Sequence, residues 1–278
     1  VRWAQMDNRP QDVAGINALK KSFEAKHPNI EIKIQFIPWG ESVAHFTTTA
    51  KAGNPPDASQ SEVSWLASFV EAGFVENLSD RVKAWKYKDQ YYSSSAGAAQ
   101  IEHEWFGLPW FCGVYTTFYN KVAFKEAGLT EADVPKTWDE LYSLAPKLSV
   151  DKDGDGVIDQ WTWIWGAAGD EGPSEVYEHA QQYGGTVLDE DGNVAIDSWP
   201  WIQALNDLSN AIVLKVSPPE TVSIDWAMRD RHFAEGYSVF FIYHNWVNHA
   251  ASMMKGPDGS PAVGVAPYLY PTAMGPGS

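Results

Sequence analysis

Apolar residues recur along this chain at two spacings, and the switch between them marks out its elements. Residues 1–8 read as a strand. Val13, Ile16, Leu19 and Phe23 follow at intervals of three and four, which places them on one face of a helix. Pro28 ends that helix. Ile30, Ile32, Ile34 and Phe36 then alternate with Glu31, Lys33 and Gln35, as in a strand with one buried face. Strand, helix and strand in that order predict a βαβ unit on a mainly parallel sheet. Ligands of such sheets sit beyond the carboxyl ends of the strands. That rule singles out residues 6–9, Asn8 among them, and then Trp39 and Glu41 after the second strand.

Further along, residues 52–58 form a Pro/Gly turn into another short strand, and a helix is expected from Val63 to Ala72. The apolar run that begins at Gly107 reads as a strand, with Cys112 a buried and inert thiol within it. It leads into Tyr119-Asn120-Lys121 and a short helix ending at Gly128. Thr137 and Glu140 make a capping box, each side chain bonding the other's backbone N–H, and Leu141, Leu144 and Leu148 form the buried stripe behind it. Trp161, Trp163 and Trp165 alternate through a strand with one buried face, and Trp165, beside Gly166, is the one best placed to reach a cleft. Residues 189–193 read as a hairpin turn.

The chain has 278 residues, 44% of them hydrophobic and 20% charged, enough for two domains with a core each. A net charge of −16 argues against nucleic acid and against an anionic membrane surface as partners. One cysteine excludes an internal disulfide. The first residues, 1–6, lack the charged and apolar regions of a signal peptide. Large cores account for most of the fourteen Trp, 12 Tyr and 12 Phe, and a ligand that prefers flat, partly polar surfaces is the sharper reading. A ligand with an apolar C–H face and a hydroxylated rim, such as a sugar, suits surfaces of this kind.

Several segments, taken in order, carry a family resemblance. They are 107–129 with Pro135–Leu141, Gly53-Asn54-Pro55-Pro56-Asp57, Gly73 to Leu78, and Gln182-Tyr183-Gly184-Gly185. Phe233 to Ile242 leading to Trp246, Val263 to Pro267, and Gly275-Pro276-Gly277 complete the set. Together they resemble the extracellular solute-binding proteins of sugar-type ABC importers, the family that contains maltose-binding protein. The resemblance implies a type II periplasmic-binding-protein fold of two α/β lobes joined by a hinge. The first lobe would span residues 1–114, with 266–278 returning to it, and the second 115–265. Family members continue past the Gly-Pro-Gly segment with helices that brace both lobes, and those are expected to be missing from a chain that stops at Ser278.

The resemblance also implies a monomer that closes on a neutral sugar, oligosaccharide or polyol and delivers it to the membrane permease subunits of an ABC importer. Its place would be periplasmic or extracellular, including as an anchored lipoprotein. Trp246 matches the position of an aromatic platform, with His244 and Asn245 before it as hydrogen-bonding groups. Trp39, Asp57, Gln60, Tyr115 and Trp226 form a second tier, each equally readable as a core or surface residue.

The most specific local motif is Asp151-Lys152-Asp153-Gly154-Asp155-Gly156-Val157-Ile158-Asp159. Asp151, Asp153, Asp155, the Val157 carbonyl and Asp159 match the first ligands of an EF-hand loop, but Thr162 stands where a bidentate Glu belongs. A structural calcium ion and a plain acidic turn are both open readings, and no other cofactor is suggested. His103-Glu104 begins a zinc-protease pattern that fails at Gly107, and neither a nucleophile elbow nor a phosphate loop occurs. The chain is read as a binding protein without catalysis. A carbohydrate-active enzyme such as a glycosidase is the alternative, since paired carboxylates can arise from this acidic composition.

Overall fold

The structure, a computed structural model, describes residues 1–6, 10–169, 172–244 and 254–271, with only the backbone of Gln11. It falls into two compact units, Val1–Cys112 and Gly113–Ser278.

The first unit opens with β1 (Arg2–Gln5), α1 (Pro10–Lys26), β2 (Lys33–Phe36), α2 (Trp39–Lys51), β3 (Ala58–Ser59) and α3 (Val63–Glu71). β1 lies between β2 and β3 and is parallel to both, as a βαβ unit requires. The alternation holds in β2, where Ile34 and Phe36 turn inward while Lys33 and Gln35 are exposed. Ala4, Met6, Ile37, Phe46 and Phe69 form the core, with Trp39 and Trp65 packed at its margin. The stripe on α1 is less buried than its spacing suggests. Val13 and Ile16 are half-buried, but Leu19 and Phe23 are 54% and 40% exposed.

After α4 (Ser79–Lys83) and α5 (Ser93–Ala98), a hairpin joins β4 (Gln100–Ile101) to β5 (Glu104–Trp105). Its two turn residues, Glu102 and His103, both have positive φ, the conformation that matches strand twist in a two-residue hairpin. The strand expected from Gly107 up to Tyr119-Asn120-Lys121 forms only from Tyr115 onward. Pro109 has no N–H for a ladder, glycines stand at 107 and 113, and Cys112 is exposed rather than buried. Regular pairing begins only at Tyr115.

The second unit runs β6 (Tyr115–Asn120), α6 (Lys121–Glu126), α7 (Trp138–Ser143), α8 (Ala145–Leu148), β7 (Trp161–Trp163), α9 (Gly172–Gln182), α10 (Trp199–Val213), α11 (Trp226–Ala234), β8 (Ser238–His244) and β9 (Val263–Ala266). Its sheet has the order β7-β8-β6-β9, parallel between β7 and β8 and antiparallel elsewhere. Both faces are covered. Tyr119, Phe240 and Ile242 point into one core with Trp138, Leu141, Leu148 and Trp163, while Phe118, Phe241 and Tyr243 point into another with Phe233. That two-sided burial explains the unbroken apolar run of β8.

Local signals act much as their chemistry dictates. The Asn120 side chain accepts from the Val122 and Ala123 N–H groups and starts α6. Thr137 caps α7 through the Glu140 N–H, but the Glu140 carboxylate bonds the Lys136 N–H instead of that of Thr137, so the expected box is only half made. Thr130 and Asp133 form the complete one. Pro146 divides the expected single helix into α7 and α8. β9 was expected to lead back to the first lobe. It pairs instead along β6, Leu269 enters the core beside Trp138, and Tyr270 bridges Thr137, so residues 266–271 pack in the second unit. No described helix is long and apolar enough to cross a membrane.

Candidate functional site

In the first unit, the candidate residues gather at the carboxyl edge of the parallel sheet. Trp39 opens α2 directly after β2, and its ring meets that of Trp65 from α3 edge-on, with centroids 6.0 Å apart. Gln60 follows β3 and is 5% exposed. Its side-chain oxygen accepts from the Met6 N–H at 3.2 Å and from the Gln5 amide, which ties the ends of β1 and β3 together. The Gln5 oxygen in turn accepts from Trp3 Nε1 at 2.9 Å. Glu41 is exposed in the first turn of α2.

Asp57 is not brought to this edge. Its carboxylate accepts the Arg2 N–H at 2.7 Å, where β1 begins, and in a parallel sheet that is the end opposite the ligand edge. Asn8 lies outside the described residues.

In the second unit, the carboxyl ends of β7 and β8 meet the start of β6, where Tyr115 stands opposite His244. The Tyr115 ring packs edge-on against Tyr243 and Tyr268 at 5.3 and 5.4 Å. Its hydroxyl bonds the Glu178 carboxylate; burial raises the pKa of that carboxyl group, and the Tyr115 bond opposes the rise. The His244 ring centroid lies 3.9 Å from that of Tyr243. Burial first, and then the charge of Arg229, lower the His244 pKa to about 4 and leave its ring neutral. A Cβ on Gly113 would fall 3.1 Å from the His244 Cβ, so the glycine admits the imidazole.

Behind this layer lies a buried pair. Arg229 of α11 and Glu175 of α9 are ion-paired, with side chains 2% and 3% exposed. The guanidinium sits 3.8 Å from the Tyr243 ring centroid, a cation–π contact. Gly166 runs past the same arginine, where a Cβ would stand 3.7 Å from Nη1 and 3.1 Å from the Ile224 carbonyl oxygen.

Trp165 does not reach a cleft. It is 7% exposed within the core, and its carbonyl accepts from the Thr221 hydroxyl at 2.7 Å, which holds the segment after β7 inward. Trp226 is 51% exposed as the first residue of α11, which Asp225 caps through the Met228 N–H. Asn245 and Trp246 lie outside the described residues.

Sequence reasoning missed Glu175, Glu178, Arg229 and Tyr268 at the second edge and Trp65 at the first. A signal was present. Glu175, Glu178, His179 and Gln182 fall at i, i+3, i+4 and i+7, a polar stripe on one helix face that packs inward instead of facing water.

The acidic loop leads into the amino end of β7, opposite the carboxyl edge of the same unit. Asp151 accepts from the Gly154 and Gly156 N–H groups, Asp155 from that of Val157, and Asp159 from that of Lys152. Carboxylate oxygens of Asp151, Asp153 and Asp159 converge within 4.8 Å, all three residues exposed. Thr162, at the twelfth position, is fully buried in β7 and bonded to Ser149, so it supplies no ligand.

The family model described as bacterial extracellular solute-binding protein matches residues 7–278. A binding protein of Brucella abortus (strain 2308) is 30% identical over 130 residues, which cover 47% of this chain and 31% of that protein. The multiple sugar-binding protein of Streptococcus mutans is 26% identical over 142 residues, or 50% of this chain and 32% of that one. The matched stretch thus spans less than a third of the length of these relatives. Among solved structures, an ABC transporter solute-binding protein of Thermotoga lettingae bound with α-D-tagatose superposes with a TM-score of 0.82 at 23% identity, over 98% of this chain and 68% of that one. Maltose-bound MalE3 of T. maritima gives 0.77 at 25% identity, over 97% and 68%. These likenesses place the chain in the two-lobed α/β fold of periplasmic binding proteins.

Proposed function

The chain belongs to the bacterial extracellular solute-binding proteins, and from that premise we propose that it binds a neutral sugar, oligosaccharide or polyol outside the cytoplasmic membrane. It works as a monomer, delivers its ligand to the permease subunits of an ABC importer, and performs no chemistry on it.

The observation that carries this reading is the edge of the second unit. There the Tyr115 hydroxyl, the Glu178 carboxylate and the neutral ring of His244 stand among the aromatic faces of Tyr243 and Tyr268. Sugars bring an apolar C–H face with a hydroxylated rim, and such a mixture of flat rings and fixed polar groups matches both. The first unit's own edge carries Trp39, Gln60 and Glu41, a similar pairing of an aromatic ring with polar groups. Related structures support the ligand class, since they are described with tagatose, ribitol, mannitol and maltose.

A thermal-shift and calorimetric screen with tagatose, ribitol, mannitol and maltose tests the proposal. Ligand at a hundred times its Kd adds roughly 2.7 kcal/mol of stability, a readable shift. Ligand recovered intact after binding, and weaker binding by Trp39→Ala and Trp246→Ala, are the expected results. Turnover of an oligosaccharide that a single carboxylate-to-amide change abolishes would replace this reading with the glycosidase one. Light scattering of the purified chain tests the monomer.

A further inference from the structure

The edge of the second unit has an unequal balance of charge. Arg229 is matched there by Glu175, with both side chains almost fully buried. His244 is neutral, held so by burial and by the arginine. The amino end of α9, which would otherwise favour an anion, already carries Glu175 in its first turn. Asp225 is exposed and occupied as the cap of α11. What remains is Glu178, half-buried, with no ion-pair partner among the described residues and with the Tyr115 hydroxyl bonded to it. A carboxylate accepts along about four lone-pair directions, so one phenol leaves most of its capacity open.

We propose that Glu178 makes this edge selective by charge, favouring sugars that carry an amino group, accepting neutral ones, and rejecting their acidic counterparts. The inference rests on the sugar-binding reading and sharpens it. An ammonium beside Glu178 gains a charge-assisted hydrogen bond. A neutral hydroxyl donates to the same oxygen. The carboxylate of an acidic sugar has no proton to donate and brings a second negative charge to a partly buried one, while Arg229 is already paired with Glu175.

The test uses matched rings that differ only in charge: glucose, glucosamine and glucuronate, and galactose, galactosamine and galacturonate. Each is titrated calorimetrically into the wild-type chain at one salt concentration, with maltose and ribitol alongside. In whichever series binds, the amino form is expected to bind at least as tightly as the neutral one. The acidic form is expected to be weaker by roughly tenfold or more, the size of a hydrogen bond to a charged group. Glu178→Gln is expected to narrow that gap from both sides, and Glu178→Asp, which keeps the charge, to retain the order. Should Glu178→Gln fail to fold, the wild-type order decides alone. Acidic and neutral sugars binding alike, or an order unchanged by Glu178→Gln, would overturn the inference while leaving the sugar-binding reading intact. Binding of none of these sugars or polyols would overturn both.

Discussion

Arg229 lies 3.8 Å from the ring centroid of Tyr243, its guanidinium held between that aromatic face and the carboxylate of Glu175. Three elements meet in this contact: α11 gives the arginine, α9 the glutamate and β8 the tyrosine. Each pair of charges taken from water must be repaid by its partner, so removing one member leaves the other stranded. Arg229→Leu is therefore expected to destabilise the chain by about 3–5 kcal/mol. Arg229→Leu with Glu175→Leu should recover most of that loss. Urea unfolding of the two variants checks it, and a double variant no more stable than the single one would refute the account.

Gly264 faces Tyr119 across the β6–β9 ladder, and a Cβ placed on it would fall 2.1 Å from the Tyr119 Cζ. The ring occupies the space a side chain would need. Overpacking of this kind costs about 1–3 kcal/mol, and Gly264→Ala is expected to fall in that range. In a Tyr119→Ala background the same substitution should cost much less, because contacting residues are not additive. Equal costs in both backgrounds would show that the ring is not the obstacle.

Two histidines set an acid limit on stability. His179 is fully enclosed between Trp138 and Trp163, and burial, only partly opposed by its bond to the Glu175 carbonyl, lowers its pKa to about 4; His244 also sits at about 4. Unfolded, both would protonate near the ordinary histidine value of 6.5. Between those values the unfolded chain binds more protons, so their contribution is complete above pH 6.5 and is lost as pH falls toward 4. Asp207 and Glu178, whose pKa values burial raises, act in the opposite direction as they take up protons. A falling Tm from pH 7 to 5 is expected, with a shallower slope in His179→Gln. Imidazole resonances that titrate near the ordinary histidine value would contradict this.

At the acidic loop, the backbone bonds to Asp151 hold its carboxyl group below the usual range. Three converging carboxylates without a bidentate twelfth ligand suit at most weak calcium binding. Millimolar calcium is expected to raise the Tm of the wild-type chain slightly and that of Asp151→Asn not at all. Identical melts in calcium and in a chelator would reduce the loop to a hydrogen-bonded turn.

Signals confined to a few neighbouring residues were legible without the fold. The alternation of β2, the Asn-led start of α6, the Thr137 cap and the parallel strand–helix–strand opening all follow from backbone sterics and local hydrogen bonds, which the sequence carries whole. Tyr115 and His244, which the fold sets opposite each other on β6 and β8, were named by the family resemblance, and the same local rules added Trp39 after β2. They misplaced Asp57, Trp165 and Cys112, whose surroundings depend on distant residues: Arg2 for the first, Thr221 for the second, and the absence of strand pairing at 107–114 for the third. Only the folded chain could reveal that Glu175 finds Arg229, 54 residues away, or that Glu178 meets Tyr115. A charge can be buried only where its partner arrives, and that arrival is a property of the assembled helices and sheet, not of spacing along the chain.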